Sequence, residues 1–340
     1  MPTIRRAQHD PALQAQVIRR TPLYYRGGAK PEIEQPGHVR AGSSLAQIAD
    51  YVAVVQDDAN FVALIDLDRG EAESMPLPAG PDGHHVFDRA HGNRSNKLDL
   101  EACVTIPTDD GHLLVAFGSG SSPERDQIVV VRWSAERGAD HEIDVYDGED
   151  FYAVLSAAHE FSGSELNIEG AVYLGDDRLR LFNRGNGKPH GDLEPCDATC
   201  DVRWSTLWTH LQHRDHHAPP TPDQIVQYEL GSIDGLRLNF SDAEAVAGVI
   251  LYSAAAEGSA SAGSDGRIAG SALGVIDDRG VRWTELIDQH GQPCIVKIEG
   301  LTIGGDDPHR VYFVADQDST EQPSEVFEVQ LHGPWYAPPA

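Results

Sequence analysis

Four glutamates sit in apolar strand-like text where a lone carboxylate is costly to bury: Glu101 in DLEACVTIP, Glu169 in LNIEGAV, Glu244 in DAEAVAGVI and Glu299 in KIEGLTIGG. Each opens a similar run of text, and in a fifth run, SSLAQIADYVAVVQ, Ser44 stands roughly where the others place Glu. If these segments are first strands lining one channel, the four Glu and Ser44 converge on a shared axis. Side chains alternate along a strand, so Asp99, Asn167, Asp242 and Lys297 are expected to point the same way as the Glu two residues on, while Leu100, Ile168, Ala243 and Ile298 face the packed side. Carboxylates crowded this way repel unless protons or a cation intervene. A hard divalent ion, Ca²⁺ or Mg²⁺, suits such oxygens, Ca²⁺ taking about six to eight of them. The alternative is that each Glu accepts backbone N–H groups of a neighbouring repeat or pairs with Arg.

The loops after the second strands, DDAN (57–60), GSGSSPERD (118–126), NRGNGKPHGD (183–192), AAAEGSASAGSDG (254–266) and ADQDSTEQ (315–322), are expected to open on the same face as the glutamates. They are rich in Gly and Ser, which let a ligand approach the backbone. Candidate contacts are Ser119, Arg125, Arg184, Asn186, Lys188 and Glu257, with Lys97 and Lys297 beside the Glu ring. Cations around a metal would receive an anionic small molecule such as a phosphate, a carboxylate or an acidic sugar. Ordinary turns are the other reading of these loops. GSGS and RGNG do not precede helices, so they are not nucleotide phosphate loops.

The elements that must position these groups are strands. Segments such as YVAVVQ, HLLVAFGS, QIVVVRW, RLRLFNR, GVILYSA, RVYFVAD and EVFEVQL are short, rich in Val, Ile, Leu, Phe and Tyr, and bounded by Gly, Asp, Pro or Ser. They recur in units of about 40–70 residues, beginning near 44, 101, 169, 244 and 299. The expectation is an all-β, five-bladed β-propeller forming one domain over 1–340, with six blades as the alternative. The N-terminal text QVIRRTPLYY (16–25) could complete the last blade and close the ring.

The third unit carries an interruption at 193–222. Within it Trp204, Leu207, Trp208 and Leu211 fall at helical spacing, predicting an amphipathic helix over 201–215. Cys196, Cys200, His210, His213 and His217 nearby allow a zinc site, a local disulfide, or free thiols beside a solvated His face. A second helix is predicted over 149–161. His84, His85 and His91 are expected in a polar loop at the pocket mouth or in solvent, and none of the sixteen His sits at a recognisable nucleophile elbow.

Charge narrows the partners. The chain of 340 residues has a formal net charge of −28, with 22 Arg against four Lys. So acidic a surface disfavours duplex nucleic acid and anionic membrane. No apolar run is long enough for a membrane span, and MPTIRRAQHDPALQ offers no apolar secretory core, so a cytoplasmic protein is expected. Four cysteines are too few for a disulfide scaffold of this size.

The stretches DLEA, GSGSSP, LNIEGAV, FNRGNG, AAAEGSASAGSDG and KIEGL resemble a bacterial family of β-propeller proteins of unknown function, over roughly 40–330. That resemblance implies the fold and no activity. In plan the chain is also similar to the calcium-activated nucleotidases (apyrases), five-bladed propellers whose central calcium is held by Glu and Ser. There the resemblance implies a catalytic role for Asp57 and Asp58. The family's DDRTG stretch is only DDAN here, at 57–60, which puts that role in doubt. Calcium-centred lactonases and phytase-like esterases share the Glu-Gly at blade starts.

Overall fold

The structure is a computed structural model that describes residues 2–67, 69–133, 141–258, 266–305, 307–317 and 319–336. Part of the 254–266 loop, residues 259–265, and one position of the 315–322 loop lie outside the described residues. No helix among the described residues is long and apolar enough to cross a membrane.

Strands dominate and fall into five antiparallel groups. The first contains Gly42–Ile48, Tyr51–Gln56, Phe61–Asp66 and Glu71–Pro76. The second contains Leu100–Thr108, Gly111–Gly118, Gln127–Trp133 and Glu142–Asp147. The third runs Ile168–Tyr173, Arg178–Asn183, Asp197–Arg203 and Asp223–Glu229, with Thr3–Arg6 added in parallel at its outer edge. The fourth runs Leu236–Val246, Val249–Gly258, Arg267–Asp277 and Gly280–Ile287. The fifth combines Ile298–Ile303, Arg310–Ala315 and Glu325–His332 with the N-terminal strand Gln14–Pro22. The outer strands of the last two groups pair briefly in parallel at Leu286↔Ala15 and Ile287↔Gln16, joining them into one ten-stranded sheet.

The five first strands pack side by side in a closed circuit, the fifth returning to the first. A separate apolar cluster fills each gap between neighbouring groups: Val62, Leu114 and Val129 between the first and second, for example, and Leu45, Val54 and Val314 between the fifth and first. Burial is therefore spread around the circuit instead of concentrated in one core, which gives a propeller-like all-β architecture.

The third group departs from the expected unit. CDATCDVR falls within the expected 193–222 interruption, yet Asp197–Arg203 is the third strand, and IVQYE belongs to the fourth. Its Asp197, Thr199 and Asp201 are all buried, so the text lacks the apolar signature of a buried strand. The Asp197 carboxylate accepts N–H groups from Gly185 (3.2 Å) and Phe240 (2.8 Å) and the Asn239 amide (2.8 Å), tying the third group to the fourth. Asp197→Ala leaves those buried donors unpaired and is expected to cost about 2–3 kcal/mol in urea denaturation.

Three helices decorate this side. Helix α1 (Glu149–Ala157) and the short α2 (His159–Ser162) bury Phe151, Tyr152, Leu155 and Phe161. Helix α3 (Trp204–Gln212) buries Trp204, Leu207 and Leu211 against the cluster between the second and third groups. The carbonyl of Asp126 accepts the Gly148 N–H just ahead of α1 (2.7 Å). Burial, then the charges of Asp147, Glu149 and Glu124, pushes the Asp126 carboxyl up to about 7. Its folded pKa lies above the unfolded one, so the native state binds more protons from about pH 4 to 7 and stability falls as pH rises through that window. Asp126→Asn is expected to be about 1–2 kcal/mol more stable than the parent at pH 8, with the two converging at pH 4 in urea titrations.

Candidate functional site

Each first strand slips register once, at the equivalent place: between Gly42 and Ser44, Leu100 and Ala102, Ile168 and Gly170, Phe240 and Asp242, and Ile298 and Gly300. A β-bulge leaves one residue unpaired and re-aims its side chain. The five bulged residues are Ser43, Glu101, Glu169, Ser241 and Glu299. This explains the Glu-Gly pairs. A Cβ on Gly300 would lie 2.9 Å from the Leu45 N and Ser44 Cα, and one on Gly170 would lie 3.3 Å from the Ala243 N and Asp242 Cα. The glycine thus lets the next first strand close against the bulge.

Counting by bulges moves two of the expected ligands. Ser43, not Ser44, is the counterpart of the glutamates, and Ser241, not Glu244, is the counterpart in the fourth group. Ser44 Oγ donates to Asp242 Oδ2 (2.9 Å) and accepts the Cys103 N–H (3.0 Å). Asp242 also accepts the N–H groups of Leu301 (2.9 Å) and Ala243 (2.7 Å). This buried group ties first strands together across the circuit, and burial holds the Asp242 carboxyl well above the usual range. Glu244 lies beyond it, accepting the Thr302 hydroxyl (3.0 Å), with burial pushing it up to about 7.

Glu101, Glu169 and Glu299 do converge. They line a cavity of ≈ 750 Å³ at one end of the circuit. The second strands of four groups end at Gln56, Gly118, Asn183 and Ala315, and the residues that follow, Asp57, Ser119, Arg184 and Asp316, stand at the same mouth. Asp57, Arg184 and Asp316 face the cavity, and so do Lys97, Arg125 and Lys297. Ser119 sits one layer out and donates to Asp99, while its hydroxyl meets that of Ser121 (2.9 Å) at the wall. Asn186 is reached by the Asn167 amide (3.4 Å), and Lys188 is exposed outside the cavity lining.

The cavity has two halves. On one side Asp57, Asp99 and Glu101 each bring an oxygen within 4.8 Å of the others. The Lys97 ammonium bridges Asp57 and Asp99, the latter at 2.5 Å, and Arg125 lies 3.2 Å from Asp99. Glu101 has neither a hydrogen-bond nor an ion-pair partner among the described residues and faces the cavity. Burial works against the charge of Asp57, but Lys97 holds its carboxyl below the usual range. Burial, with the Asp57 charge added, pushes Asp99 up. Burial, then the charges of Asp57, Glu169 and Asp99, pushes Glu101 well above the usual range.

On the other side the glutamates are paired. Arg184, almost fully buried, spans Glu169 (3.1 Å) and Glu257 (2.8 Å), and the Asn167 amide donates to Glu169 (2.8 Å). Lys297 binds Glu299 (2.5 Å) and lies 3.9 Å from Glu257. The expected single ring of ion-seeking glutamates is therefore divided, because Arg184 and Lys297 already answer Glu169 and Glu299.

Over the mouth lies the 78–97 loop, which contributes Phe87, Asp88, Arg89 and Arg94 to the lining. Arg40, which sequence reading passed over, anchors that loop by contacting Asp58 (2.5 Å) and Asp88 (3.4 Å) from a buried position. His84 binds Glu34 (2.6 Å) and His91 binds the lining residue Asp88 (2.8 Å), and neither histidine itself lines the cavity. In the third group Cys196 and Cys200 are unpaired thiols, and the buried His210 hands Nδ1 to the His217 carbonyl (2.6 Å). Neither joins a metal-ligand cluster among the described residues.

Strand groups set around an axis, with a charged cavity at one end, define a propeller-like protein. Its family is DUF6929, a family of unknown function, to which the chain belongs by a match over residues 38–331. No curated protein matches the sequence. Among solved structures the chain is similar to the glutaminyl cyclase of Myxococcus xanthus (13% identity, TM-score 0.46, covering 98% of this chain and 99% of that one). It is also similar to a GH43 β-1,3-galactosidase (10% identity, TM-score 0.48, 91% and 59% covered) and to the GH43 endo-arabinanase from Bacillus licheniformis (10% identity, TM-score 0.40, 90% and 96% covered).

Proposed function

We propose that the protein is a five-bladed β-propeller whose axial cavity holds a divalent cation, Ca²⁺ or Mg²⁺, at Asp57, Asp99 and Glu101, with a small anionic molecule above it. The observation that carries this reading is the trio itself: three carboxylates on one cavity, their oxygens within 4.8 Å of one another, and Glu101 facing the cavity without a partner. Oxygens on one Ca²⁺ stand about 2.3–2.6 Å from the ion, so their mutual separations fall at or below roughly 5 Å. The inner residues set seven carboxyl groups (Asp57, Asp99, Glu101, Glu169, Glu257, Glu299, Asp316) against four cations (Lys97, Arg125, Arg184, Lys297), and burial raises Asp99, Glu101 and Glu169, so in the ion-free cavity protons offset part of that negative charge.

Arg89, Arg94 and Arg125 at the rim would orient the anion, as guanidinium forks suit phosphate and carboxylate. A bound divalent ion supplies polarisation of a phosphoryl or ester oxygen, so hydrolysis of such a bond is the activity this arrangement would support. The unpaired cysteines fit a reducing compartment, and we place the protein in the cytoplasm, with neither nucleic acid nor membrane as partner.

The test is metal analysis by mass spectrometry on protein purified without chelator, together with calorimetric titration of Ca²⁺ and Mg²⁺. About one ion per chain is expected; no stoichiometric metal and no heat of binding would sink the reading. Phosphatase and esterase screens with and without Ca²⁺ then separate a hydrolase from a binding protein.

A further inference from the structure

We infer that the anion this cavity takes is the phosphate of a small polyol phosphate, a sugar phosphate in class, held at the mouth by Arg89 and Arg94 with its hydroxyl-bearing body turned inward. The inference rests on the anion half of the proposed function and not on the cation site. Arg89 and Arg94 are exposed on the 78–97 loop and line the cavity, and neither guanidinium has a hydrogen-bond or ion-pair partner among the described residues. The loop presents them from a built frame. The buried Asn93 amide donates to Asp82 (3.1 Å) and to the Val86 carbonyl (3.0 Å), while its Oδ1 accepts the Asp88 N–H (3.1 Å).

The inner cations are already answered. Lys97 holds Asp99 (2.5 Å), Arg125 reaches Asp99 (3.2 Å), Arg184 spans Glu169 (3.1 Å) and Glu257 (2.8 Å), and Lys297 holds Glu299 (2.5 Å). A phosphate moving inward would have to break one of these pairs and enter the field of the carboxylates, so it stays at the mouth. Two free guanidiniums match the charge of about −1.5 to −2 on a phosphate monoester better than the single charge of a carboxylate. The remaining space sets the body. A cavity of ≈ 750 Å³ has the size that encloses a whole organic ligand and far exceeds what a bare ion fills. Its wall offers carboxylates together with Asn167 and Ser121, groups that accept from and donate to hydroxyls. Phe87 is the one aromatic side chain among the described lining residues, too little to sandwich a base, which sets nucleotides aside.

The test is calorimetric titration of the full chain with glucose 6-phosphate and ribose 5-phosphate, against glucose, glucuronate, inorganic phosphate and AMP, each in EDTA and in Ca²⁺. At least one sugar phosphate is expected to bind tenfold or more tightly than all four comparators. Arg89→Gln and Arg94→Gln, on the exposed loop, are each expected to weaken that sugar phosphate at least tenfold while the melting temperature stays at the parent value. Glucuronate or AMP binding as tightly as the sugar phosphates overturns the ligand class. A sugar phosphate that binds the double variant as well as the parent overturns the assignment of the mouth. If Ca²⁺ binds and no sugar phosphate does, the inference falls and the cation reading stands. If a sugar phosphate binds in EDTA and Ca²⁺ does not bind, the inference stands and the cation reading falls.

Discussion

Glu101→Gln is expected to weaken Ca²⁺ binding by about 100-fold while making the ion-free protein more stable by about 1–2 kcal/mol at pH 8. The two effects have opposite signs for one reason. Glu101 faces the cavity without a partner, and burial together with the charges of Asp57, Glu169 and Asp99 opposes its ionisation. Its folded pKa lies above the unfolded value, so the native state binds the extra proton. Its cost to stability therefore grows as pH rises above the unfolded pKa. A neutral amide of the same shape removes the cost and, with it, an anionic ligand oxygen. Calorimetric titration of Ca²⁺ reads the first effect, and urea denaturation in EDTA reads the second. A variant that loses stability without losing affinity would show that Glu101 is a structural group, and the cation reading would lose its main support. Residues held at a cost to stability are the usual mark of function.

Arg184→Met is the largest stability change expected, a loss of about 3–5 kcal/mol at pH 8. The guanidinium is buried between Glu169 and Glu257, and deleting it strands both carboxylates in a region that water scarcely reaches. Burial already pushes Glu169 up, against the pull of Arg184 and with the Glu299 charge adding to the push. Without Arg184 the native carboxyls take up protons at higher pH than the unfolded ones, so native stability is recovered as pH falls. The deficit against the parent should shrink between pH 8 and pH 5. Guanidinium chloride titrations at the two pH values check this, and an equal deficit at both would show that charge compensation is not what Arg184 supplies. Arg184→Lys keeps one charge but cannot span both partners, and is expected to lose about 1–2 kcal/mol.

Much of the architecture is legible in the residues. Short runs of Val, Ile, Leu, Phe and Tyr set the strands, their recurrence sets the units, and the N-terminal text supplies the outer strand of the last group. Trp204, Leu207 and Leu211 at helical spacing mark α3. The Glu-Gly pairs at 169–170 and 299–300 mark where first strands bulge and press together. The Asp197–Arg203 strand escaped because one of its two buried faces, Asp197, Thr199 and Asp201, is polar, and the partners of those groups lie in other strands.

Composition and local pattern thus determined an acidic all-β repeat protein with carboxylates at recurring strand starts. Tertiary structure decided which of those carboxylates meet. An alternation rule counts residues in twos, and a bulge adds one, so Ser43 takes the place that Ser44 was expected to hold, while in the fourth group the bulge falls at Ser241, three residues ahead of Glu244. Ser44 instead meets Asp242, 198 residues away, and the pair helps close the circuit. Whether a glutamate is free or satisfied depends on which cation the neighbouring group brings. Arg184 and Lys297 reach Glu169 and Glu299, whereas Lys97 stops at Asp57 and Asp99 and leaves Glu101 open. Coulomb energy depends on distances across the axis, and those distances exist only once the strands have closed around it.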